Sequence, residues 1–145
     1  MSIETVEVLY TATAKAEGGR NGTTLSGDGL IDVNLSLPKG MGGEGKPGAT
    51  TPEDLFAAGY AACFGGAVDL MASKNKLKPS SLVIESAVGI GKTETGVGLK
   101  VELTAKVGGL SQEDAEKIVH LGHQFCPYSK AIKGNVEVTV KTVVV

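Results

Sequence analysis

The chain has 145 residues, 14 basic and 16 acidic side chains and a net charge of −2, with no basic block. That length suits one domain, 1–145, with a real core, and that charge argues against a partner bound through its phosphate backbone. Neither a charged-then-apolar leader nor a stop-transfer pattern is read, so the expectation is a cytoplasmic protein with no membrane or nucleic-acid partner.

Taken in order, residues 3 to 15 mix Val, Leu, Tyr, Thr and Ala in alternation and predict a strand. Gly18, Gly19, Arg20, Asn21 and Gly22 form a turn, because Gly-Gly and Asn-Gly favour positive φ. Residues 23 to 27 and 30 to 36 predict two short strands. Pro38 to Thr50 is a Gly/Pro/Lys loop without apolar periodicity, the kind that serves as a lid or binding loop, or is mobile. Thr51 then suits an N-cap and Pro52 the first helical position. Glu53 and Asp54 complement the positive end of the helix dipole. The run from Leu55 to Met71 leaves almost no polar face, and a helix apolar all round belongs in the middle of a molecule. Gly59, Gly65 and Gly66 interrupt it, each costing about 1 kcal/mol relative to Ala, which points to close approach of another backbone. Lys74 and Lys76 suit its end, near Asn75, and Pro79 stops it.

Ser81 to Gly89 and Gly98 to Val107 predict strands, the second alternating Leu99, Val101, Leu103, Ala105 and Val107 with Lys100, Glu102, Thr104 and Lys106. Ser111 caps a second helix, with Asp114 three residues on as a capping box. Ala115, Ile118, Val119, Gly122 and Cys126 make its apolar stripe. Asn135 to Val145 is a final Val-rich strand. Strands group rather than alternate with helices, so the class is α+β with antiparallel sheets wrapped around a central buried helix. The Val run and the apolar helix exceed what one small domain covers, and an intertwined homodimer is expected.

Two nucleotide-like strings fail in context. Gly40, Gly42 and Gly45 match G-x-G-x-x-G but lead into Lys46, Pro47 and Gly48 rather than a helix. Gly91, Lys92 and Thr93 imitate a P-loop end, but Ser86 stands where its first glycine belongs. His120, His123, Cys126 and Cys63 are conceivable zinc ligands, yet positions 120, 123 and 126 drift around a helix, so no metal is expected.

The two cysteines are the sharpest signal. A permanent disulfide is not expected in a cytoplasmic chain. Cys63 lies in apolar surroundings that raise a thiol's pKa, and it becomes reactive only with a cation beside it. Arg20 is a candidate for that cation, and Glu53 for the carboxylate that holds it. Glu53 and Cys63 are ten positions apart, roughly 15 Å along a helix. Either the helix breaks near Gly59 or Glu53 acts from another subunit. Cys126 precedes Pro127, which pushes it out of helical geometry, so its helix ends or kinks there. Two other chemistries fit the same residues: a cysteine hydrolase using His120 or His123 as base, and a non-catalytic binder of a lipid-like ligand.

The stretch TPEDLFAAGYAACF, Thr51 to Phe64, and CPYSKA, Cys126 to Ala131, closely resemble the organic hydroperoxide resistance branch of the Ohr/OsmC family. LYTATAKAEGGRNG resembles that family's first strand and arginine turn. Thr51 and Asp54 depart from the Asn and Gln that flank the Pro-Glu pair in the family. The resemblance implies an intertwined homodimer and a thiol peroxidase that reduces organic hydroperoxides to alcohols. Cys63 matches the peroxidatic cysteine, Cys126 the resolving one, Arg20 the activating arginine and Glu53 its carboxylate. Electrons come from a lipoyl group on a partner protein, and no bound cofactor is implied. Phe56, Tyr60 and Phe64 are expected to line an apolar substrate pocket.

Overall fold

A computed structural model describes residues 3–145. The chain divides into two compact units, residues 1–52 and 53–145.

The first unit is a four-stranded sheet in the order β1-β2-β3-β4, with β1 at Ala14–Glu17, β2 at Thr23–Ser26, β3 at Asp32–Leu35 and β4 at Ala49–Thr50. The strand expected from residue 3 begins only at Ala14. Pairing starts at Ala14 opposite Ser26, and β2 turns away immediately after, so the earlier residues run past the end of their partner. Their large side chains stand open, Ile3 and Leu9 at 94% exposure. The arginine turn is a 3-10 turn, Gly19–Asn21, entered through Gly18 at φ 74. A Cβ on Gly22 would run into the Glu17 carbonyl, so this close turn requires glycine there. The segment 38–50 is tied down: the Lys46 amide donates to Ser36 Oγ at 3.0 Å and the Gly45 amide to the Leu37 carbonyl at 3.0 Å. It ends in β4, which pairs parallel to β3.

The second unit holds the main core. Helix α1 runs unbroken from Pro52 to Lys74. Strands β5, Ser81–Thr93, and β6, Gly96–Gly108, form a long antiparallel hairpin. Helix α2, Gln112–Phe125, is capped by Ser111 Oγ, which accepts the Asp114 amide at 3.1 Å. A short helix α3, Pro127–Ile132, follows, and β7, Glu137–Val144, completes the sheet. β7 pairs parallel to β6. Both sheets are therefore mixed rather than purely antiparallel. The chain returns to β6 through two helices, and a helical crossover delivers the next strand in the same direction. The β6 alternation holds: Val101, Leu103, Ala105 and Val107 are fully buried, and the opposite face carries Lys100–Glu137 and Lys106–Glu85 pairs at 3.1 and 3.0 Å.

Helix α1 joins this core through Tyr60, Phe64, Ala67, Val68 and Ala72. By length and composition it is also the one described helix apolar enough to cross a membrane. Tyr60, Phe64 and Val68 go to the protein core instead. The opposite face of α1, with Ala58, Ala62, Gly66, Asp69 and Leu70, is exposed, so the core of the second unit covers the helix on one side.

Candidate active site

The two cysteines meet inside the second unit. Cys63 lies at mid-helix on α1, half-buried, and Cys126 lies between α2 and α3, fully buried. The Cys126 thiol donates to the Cys63 sulfur at 3.5 Å. The 63 positions between them are closed by the packing of α2 on α1. Gly122 makes that packing possible: a Cβ there would sit 2.6 Å from Val68 Cγ2 and 3.0 Å from the Val68 backbone.

Pro127 acts as the sequence implies. Cys126 has φ −58 and ψ 122, outside the helical region, and Pro127 takes the first position of α3. The Cys126 amide still donates to Gly122 O at 2.8 Å, and its carbonyl accepts the Lys130 amide at 2.9 Å. Cys126 thus occupies an elbow anchored to both helices.

Burial pushes the Cys63 thiol above its ordinary pKa; a hydrogen bond from the Tyr128 backbone acts the other way, and the nearby Cys126 raises it further. This matches the expectation for a thiol in apolar surroundings. The second unit brings the thiols together but by itself favours the protonated form of Cys63.

The aromatic residues stack along one edge of the site. Phe56, Tyr60 and Phe64 recur at helical spacing, with ring centroids 6.1 and 6.4 Å apart, and Tyr128 closes on Phe56 and Tyr60 at 6.1 and 5.8 Å. Tyr60 and Phe64 are fully buried, while Phe56 is half-buried. Gly59 lies beneath the Tyr128 ring: a Cβ there would sit 3.2 Å from its hydroxyl. Gly59 therefore admits a side chain rather than another backbone.

Ser129 and Tyr128 escape a reading of the sequence for nucleophiles, and Tyr60 and His123, which that reading names in other roles, join them here. Tyr60 Oη and Ser129 Oγ share a hydrogen bond at 2.6 Å, and His123 Nδ1 lies 2.8 Å from the same Ser129 oxygen. Tyr128 supplies the backbone contact to Cys63. The available signal is weak: a Tyr and a Ser predicted in apolar surroundings each need a polar partner. His120 is exposed, whereas His123 is half-buried against Phe64, 6.1 Å between rings. Burial holds His123 below the usual histidine range, with the charges of His120 and Lys133 adding to the effect. A hydrolase would need an imidazole directed at the thiol; the His123 Nδ1 is directed at Ser129. Among the described residues no three His, Cys, Asp or Glu side chains gather as metal ligands.

Arg20 stands in the 3-10 turn of the first unit. Glu53 begins α1, and the helix does not break at Gly59.

The OsmC-like protein family model matches residues 43–141. The organic hydroperoxide resistance protein of Xanthomonas axonopodis pv. citri is 49% identical over 135 residues, covering 92% of this chain and 94% of that one. The Bacillus subtilis protein OhrB, of the same description, is 44% identical and covers 92% and 97%. A crystal structure of an organic hydroperoxide resistance protein from Legionella pneumophila superposes with a TM-score of 0.89 at 46% identity, covering 95% of this chain and all of that one.

Proposed function

The chain belongs to the OsmC family, on the branch of the organic hydroperoxide resistance proteins, and from that premise we propose that it is a cysteine-based peroxidase that reduces organic hydroperoxides and protects against oxidative stress. The observation that carries the mechanism is the pair of free thiols 3.5 Å apart.

The Cys63 thiolate attacks the distal peroxide oxygen. The O–O bond breaks, an alkoxide leaves and takes a proton to become the alcohol, and Cys63 becomes a sulfenic acid. Cys126 then displaces the hydroxyl as water, forming the Cys63–Cys126 disulfide. A dithiol of lipoyl type, carried on a partner protein, restores both thiols by exchange. Because burial disfavours the Cys63 thiolate, the reaction needs a cation. Arg20 is assigned that role, and its guanidinium also stabilises the departing alkoxide. Glu53 is assigned to hold the guanidinium. Phe56, Tyr60, Phe64 and Tyr128 make the surroundings apolar, which favours alkyl over inorganic peroxide.

The assembly is a homodimer. Its support is the open small-residue face of α1 and the exposed apolar arm with Ile3, Val6, Val8, Leu9 and Tyr10, more apolar surface than a lone chain ordinarily exposes. The setting is the cytoplasm, where thiols are kept reduced.

Mass spectrometry of the reduced protein, before and after one equivalent of cumene hydroperoxide, tests the mechanism. The expected result is a loss of two hydrogens and a peptide linking Cys63 to Cys126. An unchanged mass, or oxygen added to Cys63 without a link, would overturn it.

A further inference from the structure

We propose that Ser129 is a positioning residue for disulfide formation: its hydroxyl joins Tyr60 of α1 to His123 of α2 and thereby holds the Cys126 elbow against Cys63. This rests on the two-cysteine reading above.

Two of the elbow's contacts with α1 flank Cys63. One is Gly122 against Val68, five residues beyond Cys63. The other is Ser129 on Tyr60, three residues before it. Along the axis these lie roughly 7.5 Å and 4.5 Å from Cys63, so Cys126 is suspended between them. The first point is apolar contact and permits sliding. The second is a hydrogen bond at 2.6 Å between a fully buried Tyr60 and a Ser129 that is 4% exposed, and it fixes direction. The His123 Nδ1 bond to the same hydroxyl spans the elbow from the last turn of α2 to the first turn of α3. Ser129 is thus a three-way joint, and its loss orphans the buried Tyr60 hydroxyl and the half-buried His123 Nδ1 at once.

The joint matters because the sulfurs must close from 3.5 Å to about 2.05 Å. That closure competes with a second peroxide molecule. The competing reaction turns the Cys63 sulfenic acid into a sulfinic acid and releases another alcohol. A Cys126 that wanders loses the competition. The joint therefore acts on the second chemical step and not on the first.

The test separates those steps in the full-length protein by rapid mixing with cumene hydroperoxide, using dimedone to trap sulfenic acid and mass spectrometry to count disulfide and sulfinic acid. Ser129→Ala is expected to consume the first peroxide at the wild-type rate. It should form the disulfide at least about tenfold more slowly, the effect of leaving a buried hydroxyl without its partner, and divert Cys63 to sulfinic acid. Ser129→Thr, which keeps the hydroxyl, should recover the disulfide rate. Disulfide formation at the wild-type rate in Ser129→Ala, equal slowing of both steps, or no recovery in Ser129→Thr would each overturn the proposal. Should Ser129→Ala not fold, His123→Phe removes one arm of the joint, keeps a ring against Phe64, and is read the same way. If the wild-type protein forms neither dimedone adduct nor disulfide, the two-cysteine reading falls and this proposal with it.

Discussion

Helix α2 buries Ala115, Ile118, Val119 and Gly122 and turns Glu113, Glu116 and Lys117 to water. Helix α1 has no comparable polar side, yet it too has one buried face. There the sorting is mainly by size: Tyr60, Phe64 and Val68 go inward, while Ala58, Ala62 and Gly66 stay open. Leu70 on the open face, and Ala67 and Ala72 in the core, are exceptions. In α2 the hydrophobic effect alone distinguishes the faces. In α1 both faces are apolar, so filling the core at high density decides which one turns in. Cys63 falls near the boundary between the faces of α1 and is half-buried, whereas Cys126 ends the α2 stripe and is fully buried. The more accessible sulfur is the one assigned to meet peroxide.

The largest test of this difference is to remove each sulfur in turn. Cys63→Ser should lower peroxide turnover at least about a thousandfold, since the thiolate is the nucleophile. Given one equivalent of peroxide, Cys126→Ser should still consume it and then stop with Cys63 as the sulfenic acid. Similar behaviour of the two variants in a single-turnover assay would erase the proposed division of labour.

Next in size is the contact between the two helices. Gly122→Ala places a Cβ against Val68 side chain and backbone, and overpacking of this kind costs about 2 kcal/mol. Urea denaturation should show it as a lower midpoint, and an unchanged midpoint would mean that α2 can stand away from α1.

Ala62→Glu probes the open face of α1. It should leave the secondary structure intact by circular dichroism and weaken the homodimer in sedimentation, because a charge would be buried between copies. A variant that associates like the wild type would show that the dimer uses another surface.

The smallest effect concerns His123, whose pKa is held low by burial first and by His120 and Lys133 next. A histidine depressed in the folded state binds protons more readily when unfolded. Its stabilisation is present above the usual histidine pKa and fades as pH falls through the folded value. The wild type should lose stability as pH falls below the usual histidine pKa of about 6.5, and His123→Gln should lose less over the same range. Parallel curves for the two proteins would place the pH dependence elsewhere.

The sequence reveals some elements more clearly than others. Ser111, the α2 stripe and the β6 alternation are legible because each states a period or a cap, and each is found as read. Pro127 announces the break at Cys126 because its ring disfavours helical geometry in the residue before it. The strand from residue 3 is misplaced because alternation marks strand-forming capacity, while a strand also needs a partner, and β2 ends at Ser26. The parallel placement of β7 depends on α2 and α3 crossing over between the strands, which Val alternation does not encode.

By itself the sequence determined the α+β class, the Ser111 cap, the α2 face and the two cysteines as the chemically distinctive residues. These follow from local rules, or from a motif carried by short runs of residues. Only the tertiary structure decided that the thiols of Cys63 and Cys126 stand 3.5 Å apart, that α1 turns Tyr60, Phe64 and Val68 inward, and that Ser129 joins Tyr60 to His123. Each of those depends on residues up to 69 positions apart being packed together, and packing is decided by the shapes of all the neighbours at once.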